Sequence, residues 1–343
     1  MFTEFIEIIS RGKNLSSDQA EESMKQILSG QVSSEEISAF LMGMRIKGES
    51  IDELTSFVKV MRNSSIPVEV DTTHAVDLCG TGGDKSGTFN ISTAAMFVVA
   101  GAGIPVLKHG NRSVSSKSGS YDVLLELGGV PNLQKKEVER LYKETGMAFM
   151  FAPNFHPAMK HVMPARRALK IRTFFNMLGP MLNPANVKYQ LVGTFSREAA
   201  LKMNQIFEHL DTERTLTVHS HDGLDEVSLS SKSDLFETNR GNRFNQFEFD
   251  PVTNGYSLVA INDLQGGDAK YNAEIIRAIA ENRSTQAQRD IVEINAAFAI
   301  YVANQSSDFN QAKKIASKSI DSGEMKKKID LFATESQKIA SEQ

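Results

Sequence analysis

The chain has 343 residues, of which 41% are hydrophobic and 23% are charged, and its formal net charge is -4. This length exceeds the usual limit of about 250 to 300 residues for one hydrophobic core, so two domains, or one with a large insertion, are expected. The composition excludes a disordered chain, and the negative charge weighs against a non-specific nucleic-acid binder.

The N-terminus is acidic and lacks a cationic segment followed by an apolar one, so no signal peptide is expected. No apolar run approaches the ~20 residues that cross a bilayer, since even residues 291–303 contain Glu293 and Asn295. The single cysteine, Cys79, excludes an internal disulfide framework and a cysteine-rich zinc site. A cytoplasmic protein with a buried structural thiol is expected.

The first part of the chain carries repeated start signals for helices. A serine is followed three residues later by Gln or Glu at Ser16, Ser33 and Ser50, each ahead of an apolar stretch with helical spacing. These capping boxes predict several short amphipathic helices, which form a small helical domain over residues 1–70.

After Pro67 the pattern changes to strand, glycine-rich turn and helix, which predicts a larger α/β domain over residues 71–343. Prolines and basic residues interrupt this rhythm, and about 166–187 is expected to rejoin the helical domain. The fold class is α/β: a small N-terminal helical domain beside a larger domain with a mostly parallel central sheet flanked by helices. Residues 227–263 suit shorter, antiparallel strands.

The densest cluster of glycine and polar residues begins at Gly80, between a predicted strand at 75–79 and a predicted buried helix at 91–102. Glycines let the backbone approach a ligand closely, and the N–H groups at a helix start attract anions. These residues therefore predict a phosphate site.

A second strand and helix, at 104–107 and 120–127, repeat this plan and place Lys108 at the end of the second strand. In open α/β sheets ligands bind beyond the carboxyl ends of the strands, so both loops are expected to converge on one ligand.

Two adjacent acids, Asp225 and Glu226, follow another predicted strand and the flexible Gly223. A loop can turn both carboxylates inward, and hard oxygen ligands suit Mg²⁺ that bridges to substrate phosphates. Adjacent acids are more often a solvated surface pair, so the residues alone leave both interpretations open.

The ordered set of motifs resembles the anthranilate phosphoribosyltransferase family, which shares its fold with the pyrimidine nucleoside phosphorylases. The resemblance runs nearly end to end, although Lys85 and Tyr121 stand where the family usually has smaller residues. Its motifs are residues 80–93, 108–111, 156–166, 172–180, 222–226, 266–268, 272–273 and 295–297.

The resemblance implies transfer of a phosphoribosyl group from phosphoribosyl pyrophosphate (PRPP) to the amine of anthranilate, in tryptophan biosynthesis, with pyrophosphate leaving. It implies two Mg²⁺ ions held by Ser92, Asp225 and Glu226, and electrostatic catalysis aided by Lys108 without an acid or base. The implied PRPP contacts are Gly80, Gly83, Asp84, Thr88, Asn90, Ile91, Ser92, Thr93, Lys108, His109, Gly110, Asn111, Arg112, Ser113, Val114, Ser115, Ser116 and Ser120.

For the acceptor, Arg166 is the implied clamp on the anthranilate carboxylate, with Arg167 and Arg172 as neighbouring rivals. The remaining implied anthranilate contacts are Gly80, His109, Asn111, His156, Gly179 and Pro180, near Met177.

Two other functions remain open: a nucleoside phosphorylase of the same fold, and a nucleic-acid-binding relative without the acceptor site. The Asp225 and Glu226 pair disfavours the first, because it has little purpose without a pyrophosphate. Arg166 and the net acidity disfavour the second. A homodimer through the helical domain is expected, with small-molecule substrates, no nucleic acid and no membrane as partners.

Overall fold

The computed structural model describes residues 2–84, 86–112, 118–240 and 243–342. Its N-terminal part is helical, as predicted, and the three capping boxes are confirmed: each serine side chain accepts the N–H of the helix's third residue, which in turn accepts the serine N–H. A cap of this kind stabilises a helix by about 1 kcal/mol. The helices are α1 (Phe2–Ser10), α2 (Ser17–Ser29), α3 (Ser34–Lys47) and α4 (Ile51–Asn63).

The rest of the chain is built on a seven-stranded sheet in the order β3-β2-β1-β4-β5-β6-β7. Neighbours from β3 to β5 are parallel, and β5, β6 and β7 pair antiparallel, which confirms the mostly parallel sheet. The strands are β1 (Val76–Gly80), β2 (Val106–Gly110), β3 (Met147–Phe151), β4 (Tyr189–Gly193), β5 (Arg214–Ser220), β6 (Ser233–Asn239) and β7 (Arg243–Phe249).

Helices flank this sheet, and the longest ones come at the end of the chain. They are α5 (Ile91–Gly101), α6 (Ser120–Glu126), α7 (Lys135–Thr145), α8 (Ala152–Phe155), α9 (Met163–Leu169), α10 (Phe175–Leu178), α11 (Arg197–Phe207), α12 (Ala269–Ala280), α13 (Gln286–Val302), α14 (Phe309–Asp321) and α15 (Glu324–Ser341), with 3₁₀ turns at Pro157–His161, Gly179–Leu182 and Ile261–Leu264.

The sheet order places a switch point between β1 and β4. From β1 the chain adds β2 and β3 on one side, and it then returns to add β4 and β5 on the other side. Gly80 and Gly193 face each other in register at the carboxyl ends of these two strands. A crevice at such a point is the general ligand site of open α/β sheets.

Two hydrophobic clusters divide the interior. One follows the sheet and its flanking helices, and the other joins α1 to α4 with residues of the 162–182 region and of α11. The second cluster supports, as a proposal, a helical unit of residues 1–70 joined by about 166–187. Among the described residues no helix is both long and apolar enough to cross a membrane.

Candidate active site

The glycine loop after β1 is tied on its inner side to the next strand and to the acidic pair. The backbone N–H of Thr81 donates to the Gly193 carbonyl at 2.9 Å, and that of Gly82 donates to Oδ2 of Asp225 at 2.9 Å. Gly82 and Gly83 have φ of 66° and 80°, a left-handed backbone that other residues rarely adopt. The loop thus needs its glycines in order to reach Asp225.

On its outer side the loop is held by the segment before α12. The Gln265 side chain donates to the Ser86 carbonyl at 2.9 Å, and the Gly266 N–H donates to the Gly87 carbonyl at 2.8 Å. Asn272 donates to the Asn90 side chain at 2.9 Å. In this structure the 266–273 motifs of the resemblance therefore shape the glycine loop.

The second loop meets the first at the start of α5, as the sequence predicts. The Thr93 hydroxyl donates to the Ser120 hydroxyl at 3.0 Å, and the Asn90 amide donates to the Ser118 carbonyl at 3.2 Å. Two residues beyond β2, the Arg112 guanidinium stacks 4.2 Å from the ring centre of Tyr121, which is buried. The predicted contacts Ser113, Val114, Ser115 and Ser116, like Lys85, lie outside the described residues.

Other predicted PRPP contacts lie along these loops. The Asp84 carboxylate accepts the Ser86 hydroxyl at 2.6 Å, and Thr88 forms an isolated bridge with Gln265. Asn111 is exposed, and its side chain accepts the Arg112 N–H at 2.7 Å. Of the remaining residues, Ile91 is buried at the start of α5, Ser92 follows it, and Gly110 lies at the end of β2 against Phe149.

Asp225 and Glu226 are brought to the glycine loop. Burial, and then the Asp84 charge, raise the pKa of Asp225, while burial and then Asp225 raise the pKa of Glu226. The Ser92 N–H, at the start of α5, opposes this rise in the pKa of Glu226. Crowded carboxylates beside a hydroxyl form a hard-oxygen donor set that suits Mg²⁺. Within the described ranges no group of three or more His, Cys, Asp or Glu is arranged for a metal, so water and phosphate oxygens would complete its shell.

The acid pair is positioned by residues that sequence analysis noted only as part of a motif or did not consider. Asn295 accepts the Val227 N–H and donates to the Val227 carbonyl, both at 3.0 Å. The Ser220 hydroxyl donates to the Glu226 carbonyl at 2.6 Å. In the sequence, the asparagine inside an apolar helix indicates a buried side chain that needs hydrogen-bond partners. The sequence could not show which backbone groups this side chain binds.

Gly193 allows the acid pair to approach the sheet. A Cβ added there would lie 1.6 Å from the Asp225 carbonyl oxygen, closer than any real contact. We therefore expect Gly193→Ala to displace Asp225 and to weaken PRPP binding in the presence of Mg²⁺ by at least about tenfold. Calorimetry with a thermal melt checks this, and unchanged affinity in the folded variant would contradict the placement of Asp225.

Lys108 is 2% exposed, and its ammonium lies beside β1, the strand that leads into the glycine loop. Its ammonium donates to the Leu78 carbonyl and to the Ser92 hydroxyl, the latter at 3.2 Å. Its charge lowers the pKa of Glu226 against the effect of burial. In this arrangement the Lys108 charge offsets that of Glu226, and the ammonium is bonded to the Ser92 hydroxyl.

The three candidate arginines lie in different surroundings. Arg166, on α9, is partly buried 5.6 Å from the Phe175 ring centre, and burial lowers its pKa. Among the described residues it has no carboxylate partner, and Arg167 is exposed. Arg172 instead donates to the Gly83 carbonyl and stacks 4.4 Å from Phe195, so it belongs to the wall of the glycine loop.

His109 and His156 form a buried pair with ring centres 5.2 Å apart. Burial, and then His156, lower the pKa of His109 to about 3, and burial lowers the pKa of His156 to about 4. Both rings are therefore neutral near pH 7, and the Nε2 atom of each is buried without a hydrogen-bond partner in the described part of the chain. The rings contact the backbone of Gly179 and Leu182 respectively.

This pair predicts a loss of stability in acid. The folded-state pKa of His156, about 4, lies below its ordinary value of 6.5, so the unfolded chain binds more protons between these values. The contribution of His156 to the free energy of unfolding is complete above pH 6.5, and it falls by about 1.4 kcal/mol per pH unit as the pH drops toward 4. Urea unfolding of the wild type and His156→Gln at pH 7, 6 and 5 checks this. If the free energy of unfolding fell equally with decreasing pH in both proteins, the prediction would be wrong.

Two histidines at the carboxyl end of β5, His219 and His221, have partners within the fold, and Cys79 is buried. His219 bonds the Thr194 carbonyl through Nδ1 at 2.9 Å, and His221 lies 3.2 Å from an Asp234 carboxylate oxygen. Cys79 is buried, and burial raises the pKa of its thiol well above the usual value.

The helical bundle, the α/β sheet and the loops at its switch point define a two-part glycosyl transferase. Residues 3–65 match the helical bundle domain of the glycosyl transferase family, and residues 72–326 match its a/b domain. Over 98% of this chain and 99% of its own length, an anthranilate phosphoribosyltransferase of Salinibacter ruber is 46% identical to it. The chain belongs to the anthranilate phosphoribosyltransferase family.

Solved structures agree with this family. Anthranilate phosphoribosyltransferase from Thermus thermophilus superposes with a TM-score of 0.91 and 31% identity, covering 97% of this chain and 99% of that one. The enzyme from Saccharomyces cerevisiae, solved in complex with PRPP and Mg, gives 0.90 and 25% identity over 98% of each chain. A variant of the yeast enzyme, solved with 4-fluoroanthranilate, gives 0.87 and 25% over 98% of each chain.

Proposed function

We propose that this enzyme transfers the phosphoribosyl group of PRPP to the amine of anthranilate, giving N-(5-phosphoribosyl)anthranilate and pyrophosphate. The observation that carries the proposal is the contact of the glycine loop with the acid pair, through the Gly82 N–H and Asp225, at the switch point of the sheet. The names of the related enzymes and the PRPP and Mg complex of the yeast enzyme support it.

On the donor side, the chain's task is to stabilise the charge that grows on the departing pyrophosphate. The glycine-loop amides and the N-terminus of α5 offer fixed positive dipoles, and the hydroxyls of Ser92 and Ser120 add donors. Asp225 and Glu226 with Ser92 would hold Mg²⁺, and we propose two ions, which would neutralise phosphate charge when bound. The Lys108 charge offsets that of Glu226.

On the acceptor side, we assign Arg166 as the clamp for the anthranilate carboxylate. It is a partly buried guanidinium without a carboxylate partner in the described part of the chain, so an anionic ligand would satisfy it. The neutral His109 and His156 rings, with Gly179 and Pro180, would line the aromatic ring. Anthranilate's amine is neutral near pH 7, so positioning contributes more than proton abstraction.

We propose that the enzyme is a cytoplasmic homodimer joined through its helical part. Met42 and Ile46, one turn apart on α3, are 41% and 77% exposed, and an apolar pair of this kind fits a contact between copies. Sedimentation of the wild type against Ile46→Glu checks the dimer, because a charge on this face would dissociate it.

The activity test follows the loss of anthranilate fluorescence in purified protein with PRPP and Mg²⁺. Turnover that stops on adding EDTA and returns with Mg²⁺ is expected. Release of a free base from a nucleoside by phosphate, without anthranilate turnover, would instead assign the chain to the phosphorylases.

A further inference from the structure

The crossover segment, residues 179–183, consists of the 3₁₀ turn Gly179–Leu182 and Asn183, and it leads the chain from α10 toward β4. Its backbone is held by side chains from separate parts of the fold, which is unusual for a connecting segment. At its two ends the segment contacts imidazole rings: the Gly179 backbone contacts His109, and the Leu182 backbone contacts His156. Between them, the Pro180 carbonyl accepts the Gln190 side-chain amide at 2.9 Å, and the Met181 carbonyl accepts Nε of Arg62 at 2.6 Å.

Asn183 ends the segment and is fully buried. Its amide nitrogen donates to Oδ2 of Asp77 on β1 at 2.8 Å and to the Leu107 carbonyl on β2 at 2.9 Å. Its amide oxygen accepts the Ala185 N–H at 2.9 Å. One side chain thus connects the crossover segment to two neighbouring strands of the sheet.

Asp77 anchors this connection from the strand that leads into the glycine loop. It is fully buried, and its carboxylate also accepts the His109 backbone N–H at 3.2 Å and the Gln190 amide at 3.4 Å. Burial raises the pKa of Asp77 to about 6, although the nearby Lys108 charge opposes the rise. A buried carboxylate with several donors is expensive to place and therefore specifies one arrangement of its neighbours.

We propose that Asn183 is a positioning residue for the acceptor side of the active site, with Asp77 as its anchor. It acts through the crossover segment, which carries Gly179 and Pro180 of the proposed anthranilate site, and the inference rests on the proposed function. Asp77 belongs to the strand that enters the PRPP loop, so this pair sets the distance between the two substrates. A misplacement of about 1 Å can cost about 10²-fold in rate.

The test compares Asn183→Leu with a matched control, Asn204→Leu. Asn204 lies on α11 and is equally buried, but its bonds go to β6. Its amide donates to the Phe236 carbonyl at 2.8 Å and accepts the Thr238 hydroxyl at 2.6 Å. Both variants are expected to lose thermal stability. Only Asn183→Leu is expected to raise KM for anthranilate, by roughly tenfold, while its calorimetric affinity for PRPP with Mg²⁺ stays within about twofold of the wild type.

Gln190→Met is the second variant, because it keeps the volume and removes only the bond to Pro180 and the longer contact with Asp77. Because it removes fewer buried hydrogen bonds than Asn183→Leu, it should melt closer to the wild type. It should raise KM for anthranilate about threefold, and it carries the test if Asn183→Leu does not fold. The inference is overturned if anthranilate KM stays unchanged in every folded variant, rises equally in Asn204→Leu, or rises only in step with lost PRPP affinity. A wild type without turnover would overturn the proposed function first, and this inference with it.

Discussion

The double variant Asp225→Asn with Glu226→Gln is expected to lose Mg²⁺-dependent turnover by on the order of 10³-fold or more, since a metal's charge stabilisation is worth several kcal/mol. Both side chains keep their size, and both carboxyl groups carry a raised pKa because burial, and then a neighbouring carboxylate, disfavour their charges: Asp84 acts on Asp225, and Asp225 acts on Glu226. Removing the charges should therefore leave the metal-free protein at least as stable as the wild type. Fluorescence assays over a Mg²⁺ series and thermal melts measure the two effects.

The control for this variant is Glu21→Gln with Glu22→Gln. These adjacent acids lie on α2, away from the loops, and their substitution removes the same net charge. Its turnover should match that of the wild type. Full Mg²⁺-dependent activity in the Asp225 and Glu226 variant would rule out these residues as metal ligands. A lower melting temperature without Mg²⁺ would contradict the repulsion inferred between them.

Arg166→Ala is expected to lower kcat/KM for anthranilate by roughly 10- to 100-fold, because a hydrogen bond to a charged partner is worth about 1.5 to 3 kcal/mol. The affinity for PRPP should change little, since Arg166 has no hydrogen bond to the described residues of the glycine loop, whereas Arg172 donates to Gly83. Initial rates at varied anthranilate, with calorimetry for PRPP, separate the two substrates.

Arg167→Ala is the matched control, as Arg167 lies on the same helix and is exposed. It should behave as the wild type. If Arg167→Ala or Arg172→Ala were to raise KM for anthranilate while Arg166→Ala did not, the clamp would have to be reassigned to that residue.

Local patterns in the sequence were enough to predict these helices and strands. The capping boxes at Ser16, Ser33 and Ser50 form as predicted because a cap is made within four residues. The strand predicted at 75–79 is confirmed as Val76–Gly80, since an apolar run bounded by turns signals a buried strand. The glycine loop between β1 and α5 was predictable for the same reason, because its backbone demands are local.

The contacts of the site were decided by the tertiary structure, because they join residues that are far apart in the chain. The Gly82 N–H reaches Asp225 across 143 positions, and Asn183 reaches Asp77 across 106. Their residue types could be read from the chain, but a buried amide or carboxylate binds whichever groups the sheet order brings beside it. The sequence therefore determined the elements and the chemistry available at their ends, whereas packing at the switch point selected which of those groups meet.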